Sequence, residues 1–232
     1  MSKYILAIET SSSLCSLALI SVDNEKIKRI AIENYAGVKV HNKMLMPGII
    51  KLLKDNNLDL KDLAAISCGV GPGSFTGLRI GCAAVQGLAY SLGIKIYTCS
   101  SLRISAQSLS LKHKNLNNKK VSVILDAHAD AFYVGYYKIE NNIALEAEVD
   151  KLLSKDELLY FLKNNKIDFL IGDSAILFKD YVSDFNKDIK VFEDVLPKAD
   201  ALGELVLTLD LQEPEELEIK YLRGEGHWRR AD

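Results

Sequence analysis

The glycine-rich segment Gly69–Gly81, GVGPGSFTGLRIG, constrains the fold of this chain more than any other stretch. A β-prone apolar run precedes it and an apolar helical pattern follows it, so it predicts a sharp turn from a strand into a helix. Ser74 is a good N-cap for that helix, and Gly93 is a good C′ residue just after Leu92. We therefore expect a strand–turn–helix unit whose turn carries little side-chain bulk.

This unit lies within an ordered run of predicted elements. Three β-prone runs joined by tight turns, Lys3–Glu9, Leu14–Val22 and Ile27–Asn34, predict an antiparallel meander. A helical pattern then covers Val40–Lys54, and Pro47 either starts that helix or kinks it. The order β-β-β-α-β-α-β-α in the first half of the chain predicts a mixed sheet flanked by helices.

A polar segment, KHKNLNNKK at 112–120, divides the chain into two predicted lobes. We expect an N-terminal lobe at 1–111 and a C-terminal lobe at 121–232, with the polar segment as a linker. The second half also combines β-prone runs with helical patterns, which predicts a second α/β lobe. Its last amphipathic helix, Ala199–Leu211, is a candidate to pack back on the N-terminal lobe.

Charge and cysteine usage limit the function classes. A net charge of -2 and a pI near 6.1 argue against a protein that coats nucleic acid, and leave contact with RNA inside a complex open. The four cysteines form no C-x-x-C pair, which favours reduced, buried thiols in the cytoplasm. The apolar run Tyr4–Ile8 is too short for a secretory signal, and Arg79 and Gln86 interrupt Phe75–Ile94, so we expect no membrane span.

Glycines recur on one face of the predicted helix at positions 73, 77 and 81, and Ala84 lies near the same face. A glycine inside a helix costs up to about 1 kcal/mol relative to alanine, so we expect close packing to offset that cost. The stripe predicts the close approach of another backbone, from the helix Val40–Lys54 or from a partner protein. The predicted partner surface comprises Met44, Leu45, Gly73, Thr76, Gly77, Ile80, Gly81 and Ala84.

The glycine-rich turn could also hold an anion at the start of its helix. It matches neither a Walker A loop, nor G-x-G-x-x-G, nor a G-x-S-x-G elbow, and close packing of the turn explains its glycines as well. The first turn places hydroxyl groups where actin-like ATPases hold phosphate, but Glu9 stands in place of their Asp. The candidate nucleotide- or anion-binding residues are Thr10, Ser11, Ser12, Gly71 and Gly73.

The histidines form no recognisable catalytic or metal-binding set. They stand far apart in sequence, at His41, His113, His128 and His227. His128 lies between Asp126 and Asp130, a pattern that ordinary turn chemistry explains better than acid–base catalysis. We therefore predict no catalytic residue, no metal and no cofactor.

Several segments in order resemble the TsaB (YeaZ) family of bacterial tRNA threonylcarbamoyladenosine biosynthesis proteins. The resemblance runs from about Lys3 to Arg223, and GPGSFTGLRIG is its most specific part. The segments that carry it are ILAIETSSSLCSLALI, HNKMLMPGIIKLL, GVGPGSFTGLRIGCAAVQGLAYSLGIKIYTCSSL, VILDAHADAFYVGYY, IGDSA and YLRG. The resemblance implies an α/β fold of two lobes, the actin/Hsp70/sugar-kinase-like (ASKHA, ribonuclease-H-like) fold with mixed sheets flanked by helices.

The resemblance also implies a role and partners. Family members take part in forming threonylcarbamoyladenosine beside the anticodon, as a non-catalytic subunit that binds and stabilises the paralogous transferase TsaD together with the ATPase TsaE. It further implies a cytoplasmic protein that forms a self-dimer when isolated and meets tRNA only indirectly or within the complex. An actin-like phosphotransferase or ATPase remains the alternative, and a protease is the third possibility.

One segment separates this chain from the transferase that it resembles. The transferase carries a metal-binding histidine pair after the strand that corresponds to Ile94–Tyr97, whereas this chain reads Thr98–Leu102 there. The next histidine is His113. The end of the chain departs from the family pattern, because no proline stands just before Tyr221.

Overall fold

The computed structural model describes residues 3–113 and 115–222, which form two lobes that are each built on one mixed sheet. The strands are β1 Lys3–Glu9, β2 Leu14–Asp23, β3 Lys26–Ala36, β4 Leu63–Gly69, β5 Lys95–Cys99, β6 Lys120–Asp126, β7 Ala131–Glu140, β8 Ile143–Ser154, β9 Phe169–Ile171, β10 Lys190–Phe192 and β11 Leu211–Gln212. The α-helices are α1 Val40–Asp55, α2 Phe75–Leu92, α3 Ser101–Lys112, α4 Lys155–Asn164, α5 Lys179–Ser183 and α6 Ala199–Leu205.

The sheet of the first lobe has the strand order β11-β5-β4-β1-β2-β3. The predicted meander is confirmed, because β2 pairs antiparallel with both β1 and β3, while β4 joins β1 in parallel. Helix α1 begins at Val40 and contains Pro47, so the helix neither starts at the proline nor ends there. Helices α1 and α2 cover one face of this sheet, and Leu6, Ile8 and Ile49 are fully buried between the layers.

The opposite face of the first sheet is covered by α6. Small residues on the strands, Ala7 and Ala18, leave room for Leu202 and Leu205 of that helix. The helix is shorter than the predicted Ala199–Leu211, because a 3-10 turn at 206–208 ends it and the chain then adds β11 to the first sheet. The last helix therefore packs back on the N-terminal lobe, as the sequence suggested, and the described residues 199–222 lie on that lobe although they fall within the predicted C-terminal lobe of 121–232.

The second lobe holds a sheet with the order β10-β9-β6-β7-β8. Helices α4 and α5 lie on one side of it, and α3 packs its apolar residues Leu102, Ala106 and Leu109 on the other side. The predicted boundary after residue 111 is therefore corrected, because α3 lies between the two sheets and contacts both α6 and the second lobe. Two mixed sheets flanked by helices confirm the predicted fold class.

The last described residues form a strap along the first lobe, which we define as residues 213–222. Leu217 and Ile219 of the strap pack against the first core, and the Lys220 N–H donates to the Val70 carbonyl oxygen over 2.8 Å. Among residues 3–113 and 115–222, no helix combines the length and the apolar character that crossing a bilayer requires.

Candidate partner surface and the turn beneath it

The turn between β4 and α2 has the predicted strand–turn–helix geometry. Gly71 and Gly73 adopt φ values of +96° and +154°, which side chains other than glycine rarely allow. The Ser74 side chain accepts the Gly77 N–H over 3.3 Å, and Gly93 ends the helix in the left-handed conformation. The N-cap and the C′ residue that the sequence predicted are both confirmed.

The glycine stripe of α2 faces the turn between β1 and β2 of the same chain. A Cβ built on Gly73 would overlap the Ser11 carbonyl oxygen, and one on Gly77 would overlap the Thr10 carbonyl oxygen. A Cβ on Gly81 would overlap the Thr10 hydroxyl. The stripe thus lets α2 lie directly on a backbone turn, which is a close approach from within the chain.

Part of the predicted partner surface therefore lies inside the molecule. Gly77, Gly81 and Leu45 are buried, and Gly73 contacts Ser11, so the idea that a partner's backbone fills the stripe is wrong. The physical reason is that a glycine leaves space on the helix surface, and the carbonyl oxygen of a turn can fill that space as well as a second helix can. The other predicted residues reach the surface, since Thr76 is exposed and Met44, Ile80 and Ala84 are half-buried.

A different side of α2 is open. Thr76, Ile80, Ala83 and Gly87 recur at spacings of four, three and four residues, which places them on one side of the helix. Ala83 is exposed, and a Cβ built on Gly87 would meet nothing within 4 Å. Small side chains thus line a strip to which another helix could come close.

The neighbouring helix α1 adds apolar surface. Ile50 is 56% exposed and Met46 is 40% exposed, although both lie on a helix that packs beside α2. We call these exposed or half-buried residues of the helix pair the α1–α2 face. It comprises Met46, Ile50, Thr76, Ile80, Ala83, Ala84 and Gly87.

Beneath α2, the carboxylate of Glu9 is completely buried where β1, β4 and β5 end. Its Oε1 accepts the Ser11 N–H over 2.6 Å, and its Oε2 accepts the Ser101 hydroxyl over 3.2 Å. A Cβ built on Gly69 would overlap this carboxylate, so Gly69 makes the space for it. Burial raises the pKa of Glu9, and the hydrogen bonds from Ser11 and Ser101 oppose that rise.

The candidate anion-binding residues come together around this carboxylate. Thr10, Ser11 and Gly71 are buried, Ser12 is half-buried, and the Ser74 N–H donates to the Ser11 carbonyl oxygen over 2.7 Å. The Ser11 N–H, which would have to face an anion, is already bonded to Glu9. A buried carboxylate repels phosphate, so the geometry favours packing of the turn over the anion-binding interpretation. Anion binding itself stays a prediction.

A second buried carboxylate joins the two lobes, and the sequence analysis missed it. Asp150 on β8 accepts hydrogen bonds from the hydroxyls of Ser100 and Tyr137. Burial raises the pKa of Asp150, while the two hydroxyl donors and the nearby Lys220 act against the rise. Because Ser100 lies 50 residues away from Asp150 in the chain, no local pattern could have revealed the pair.

The histidines occupy separate places. His41 contacts the Leu14 carbonyl oxygen, His113 lies against the ring of Phe192, and His128 pairs with Asp126 in a turn. His227 lies outside the described residues. In the described parts of the chain, no three His, Cys, Asp or Glu side chains form a group that could hold a metal ion.

Comparisons with known proteins identify the family. Residues 22–192 match the family model described as "TsaD: tRNA N6-adenosine threonylcarbamoyltransferase". The chain is 36% identical over 177 residues to the tRNA threonylcarbamoyladenosine biosynthesis protein TsaB of Buchnera aphidicola subsp. Schizaphis graminum, an alignment that covers 75% of this chain and 80% of that protein. It is 27% identical to the TsaB of Haemophilus influenzae over 97% of this chain and 96% of that one.

A solved structure supports the same fold. The structure titled "YeaZ from Pseudomonas aeruginosa" superposes with a TM-score of 0.74 at 24% identity, covering 95% of this chain and all of that one. The resemblance predicted from the sequence motifs is therefore confirmed. The alignments with the TsaB proteins cover most of this chain and most of each relative. We conclude that the chain belongs to the TsaB (YeaZ) family of tRNA threonylcarbamoyladenosine biosynthesis proteins.

Proposed function

We propose that this chain is a non-catalytic subunit in the biosynthesis of threonylcarbamoyladenosine in tRNA, which acts in the cytoplasm by binding and stabilising the transferase TsaD. The ATPase TsaE joins the two proteins in this proposal. The observation that carries it is the α1–α2 face, which is an exposed apolar surface. The other sides of both helices are buried in the core of the first lobe.

The shape of this face supports a helical partner. Small residues such as Ala83 and Gly87 let a second helix come close, and Ile50 and Met46 supply apolar area beside them. Methionine adapts to different partners, so the same face suits TsaD and, when TsaD is absent, a second copy of this chain. A two-fold self-contact brings equal patches together, which this face allows without any further surface.

The buried carboxylate of Glu9 supports the non-catalytic part of the proposal. In actin-like ATPases of the fold that the sequence resembles, the turn after the first strand holds phosphate. In this chain the Glu9 carboxylate fills the space between β1 and β4 at that turn. A phosphate at this position would have to replace the bond between Glu9 and the Ser11 N–H and to face a carboxylate. We therefore favour the subunit role over a phosphotransferase or ATPase, and no contact within residues 3–113 and 115–222 supports proteolysis.

A matched pair of variants tests the partner face. Ala83→Arg places a charge on the face, and Ala147→Arg makes the same change at an exposed position of the second lobe. A buried charge without a partner costs about 3 kcal/mol, so Ala83→Arg should weaken TsaD binding by ~100-fold, measured by calorimetry. Ala147→Arg should bind like the unchanged chain.

The measurement needs a control for folding and a control for activity. Far-UV circular dichroism and thermal melting should show both variants to be folded, because neither site is buried. In a reconstituted reaction, transfer to tRNA should require TsaD and should fall when this chain is omitted. Unchanged TsaD affinity in a folded Ala83→Arg variant would place the interface elsewhere, and transfer by this chain without TsaD would refute the non-catalytic role.

A further inference from the structure

One end of the second lobe concentrates lysine side chains. Strands β6, β9 and β10 run in parallel and begin at this end, while β7, which is antiparallel to β6, ends there. Each of these strand ends carries at least one lysine in the strand or in the loop beside it. We call this surface the basic end, and its lysines are Lys119, Lys120, Lys138, Lys166, Lys187 and Lys190.

Backbone hydrogen bonds of the sheet hold these lysines side by side. The Lys190 N–H donates to the Asp168 carbonyl oxygen over 3.0 Å, and the Asp168 N–H donates to the Lys120 carbonyl oxygen over 2.9 Å. The Lys166 carbonyl oxygen accepts the Tyr136 hydroxyl over 2.6 Å, and the Lys120 Nζ lies 5.4 Å from the centroid of that tyrosine ring. The stems of these lysines are therefore fixed by the sheet and by its adjoining turns.

Carboxylates within the lobe neutralise only part of this charge. The Asp168 side chain is 15% exposed and lies 3.0 Å from the Lys119 Nζ, and it also accepts the Lys120 N–H over 2.9 Å. Lys138, the cross-strand partner of Lys120, forms an ion pair with Glu140. The other lysines of the basic end form no ion pair within residues 3–113 and 115–222, and these are Lys120, Lys166, Lys187 and Lys190. Their charges are available to an external anion.

The basic end is positive in a chain that is negative overall. Its six lysines stand among three carboxylates, and this leaves a net charge of +3 although the whole chain carries -2. The segments counted are 117–120, 137–143, 166–169 and 187–190, and their carboxylates are Glu140, Asp168 and Asp188.

Exposed asparagines lie beside the lysines. The Asn141 N–H donates to the Asn117 side-chain oxygen over 2.9 Å, and the Asn118 N–H donates to the Ile139 carbonyl oxygen over 2.7 Å. These bonds place the loop before β6 next to the end of β7, and all three asparagines are exposed. Lysine and asparagine side chains both donate to phosphate oxygens, so the surface suits a chain of phosphates.

We propose that the basic end of the second lobe contacts the phosphate backbone of tRNA directly and without regard to base sequence. Lysines that neutralise phosphates release bound counterions, which supplies most of the affinity of such a contact. This inference rests on the proposed function, because it assumes that the chain acts in tRNA modification. It goes beyond the expectation that tRNA is met only indirectly or within the complex. The α1–α2 face belongs to the first lobe, so the two contacts use different residues.

The test titrates a labelled tRNA transcript with the full chain alone and follows fluorescence anisotropy at several salt concentrations. Lys166→Gln/Lys190→Gln should weaken binding by roughly tenfold at about 0.1 M salt, and the slope of log affinity against log salt should become shallower by about 0.7–0.9 for each lost phosphate contact. Lys166→Arg/Lys190→Arg keeps both charges and should bind tRNA like the unchanged chain. Lys26→Gln/Lys28→Gln makes the same charge change at two exposed lysines of the first lobe and should also bind like the unchanged chain.

Three results would overturn the proposal. The first is no binding of tRNA at about 50 mM salt, where electrostatic contacts are strong. The second is an equal loss of affinity in the two glutamine double variants, which would indicate charge attraction spread over the whole chain. The third is a Lys166→Gln/Lys190→Gln variant that binds tRNA normally and loses TsaD, which would make the basic end a protein contact.

The tRNA titration contains no TsaD, and the TsaD titration contains no tRNA. Ala83→Arg therefore reports on the subunit proposal alone, whereas Lys166→Gln/Lys190→Gln in the tRNA titration reports on the basic end alone. Failure of one proposal leaves the expected result of the other unchanged, so the two failures are distinguishable.

Discussion

Substituting single glycines of α2 tests whether the glycine stripe is an internal contact. Gly77→Ala would place a methyl group where the Thr10 carbonyl oxygen lies, and that oxygen belongs to the backbone and has little freedom to move. Gly87→Ala adds the same methyl group to the same helix, at a position with nothing within 4 Å. The two variants differ only in what the new methyl group meets.

The expected changes in the free energy of unfolding have opposite signs. Alanine is favoured over glycine in a helix by up to about 1 kcal/mol, so Gly87→Ala should stabilise the chain by roughly 0.5–1 kcal/mol. At Gly77 the overlap outweighs the helix preference for alanine. Adding a methyl group to a filled site costs about 1–3 kcal/mol, and an overlap with backbone lies at the upper end of that range. We expect Gly77→Ala to be destabilised by about 1–2 kcal/mol.

Urea unfolding and thermal unfolding, both followed by circular dichroism, compare the two variants with the unchanged chain. The melting temperature should move by about 2–4 °C for each kcal/mol, downward for Gly77→Ala and upward for Gly87→Ala. If Gly77→Ala is as stable as Gly87→Ala, α2 does not rest on the turn as described. The partner interpretation of the glycine stripe would then have to be reopened.

Two further predictions concern the buried carboxylates. Because burial raises the folded-state pKa of Glu9, the contribution of Glu9 to stability should be fully present below the unfolded value of 4.5 and should be lost as pH rises through the folded value. Glu9→Gln should reduce that fall in urea titrations from acid to neutral pH, and an unchanged pH profile would contradict the assignment. Tyr137→Phe removes one donor to Asp150, so we expect a loss of about 1–3 kcal/mol in thermal unfolding. A variant as stable as the unchanged chain would show that Ser100 alone satisfies Asp150.

Local patterns predicted the elements that depend on local chemistry. Ser74 and Gly93 were identified as the ends of α2 because caps are set by a few neighbouring residues. The meander of β1, β2 and β3 followed from apolar runs separated by turns. Strand β8 was missed, since its charged sequence around Glu146–Asp150 has no simple alternation and its pairing with β7 shifts register there.

Features that depend on distant residues could not be predicted in this way. Periodicity showed that Gly73, Gly77 and Gly81 share a face, but it could not tell which neighbour that face meets. The neighbour is a turn 62 to 71 residues earlier in the chain, whose fit is visible only once β1 and β4 are side by side. The position of α3 between the sheets was missed for the same reason.

The return of the chain to the first sheet has a consequence for synthesis on the ribosome. Strand β11 and helix α6 are made after the second lobe, yet they complete the edge and one face of a sheet whose other strands are made before it. A nascent chain that has emerged only as far as α3 leaves Ala7, Ala18 and Ile104 uncovered. The contacts that close this face join residues that are far apart in sequence, so they form late and slowly. The first lobe thus reaches its final state only after the second lobe has been synthesised, although five of its six strands precede that lobe in the chain.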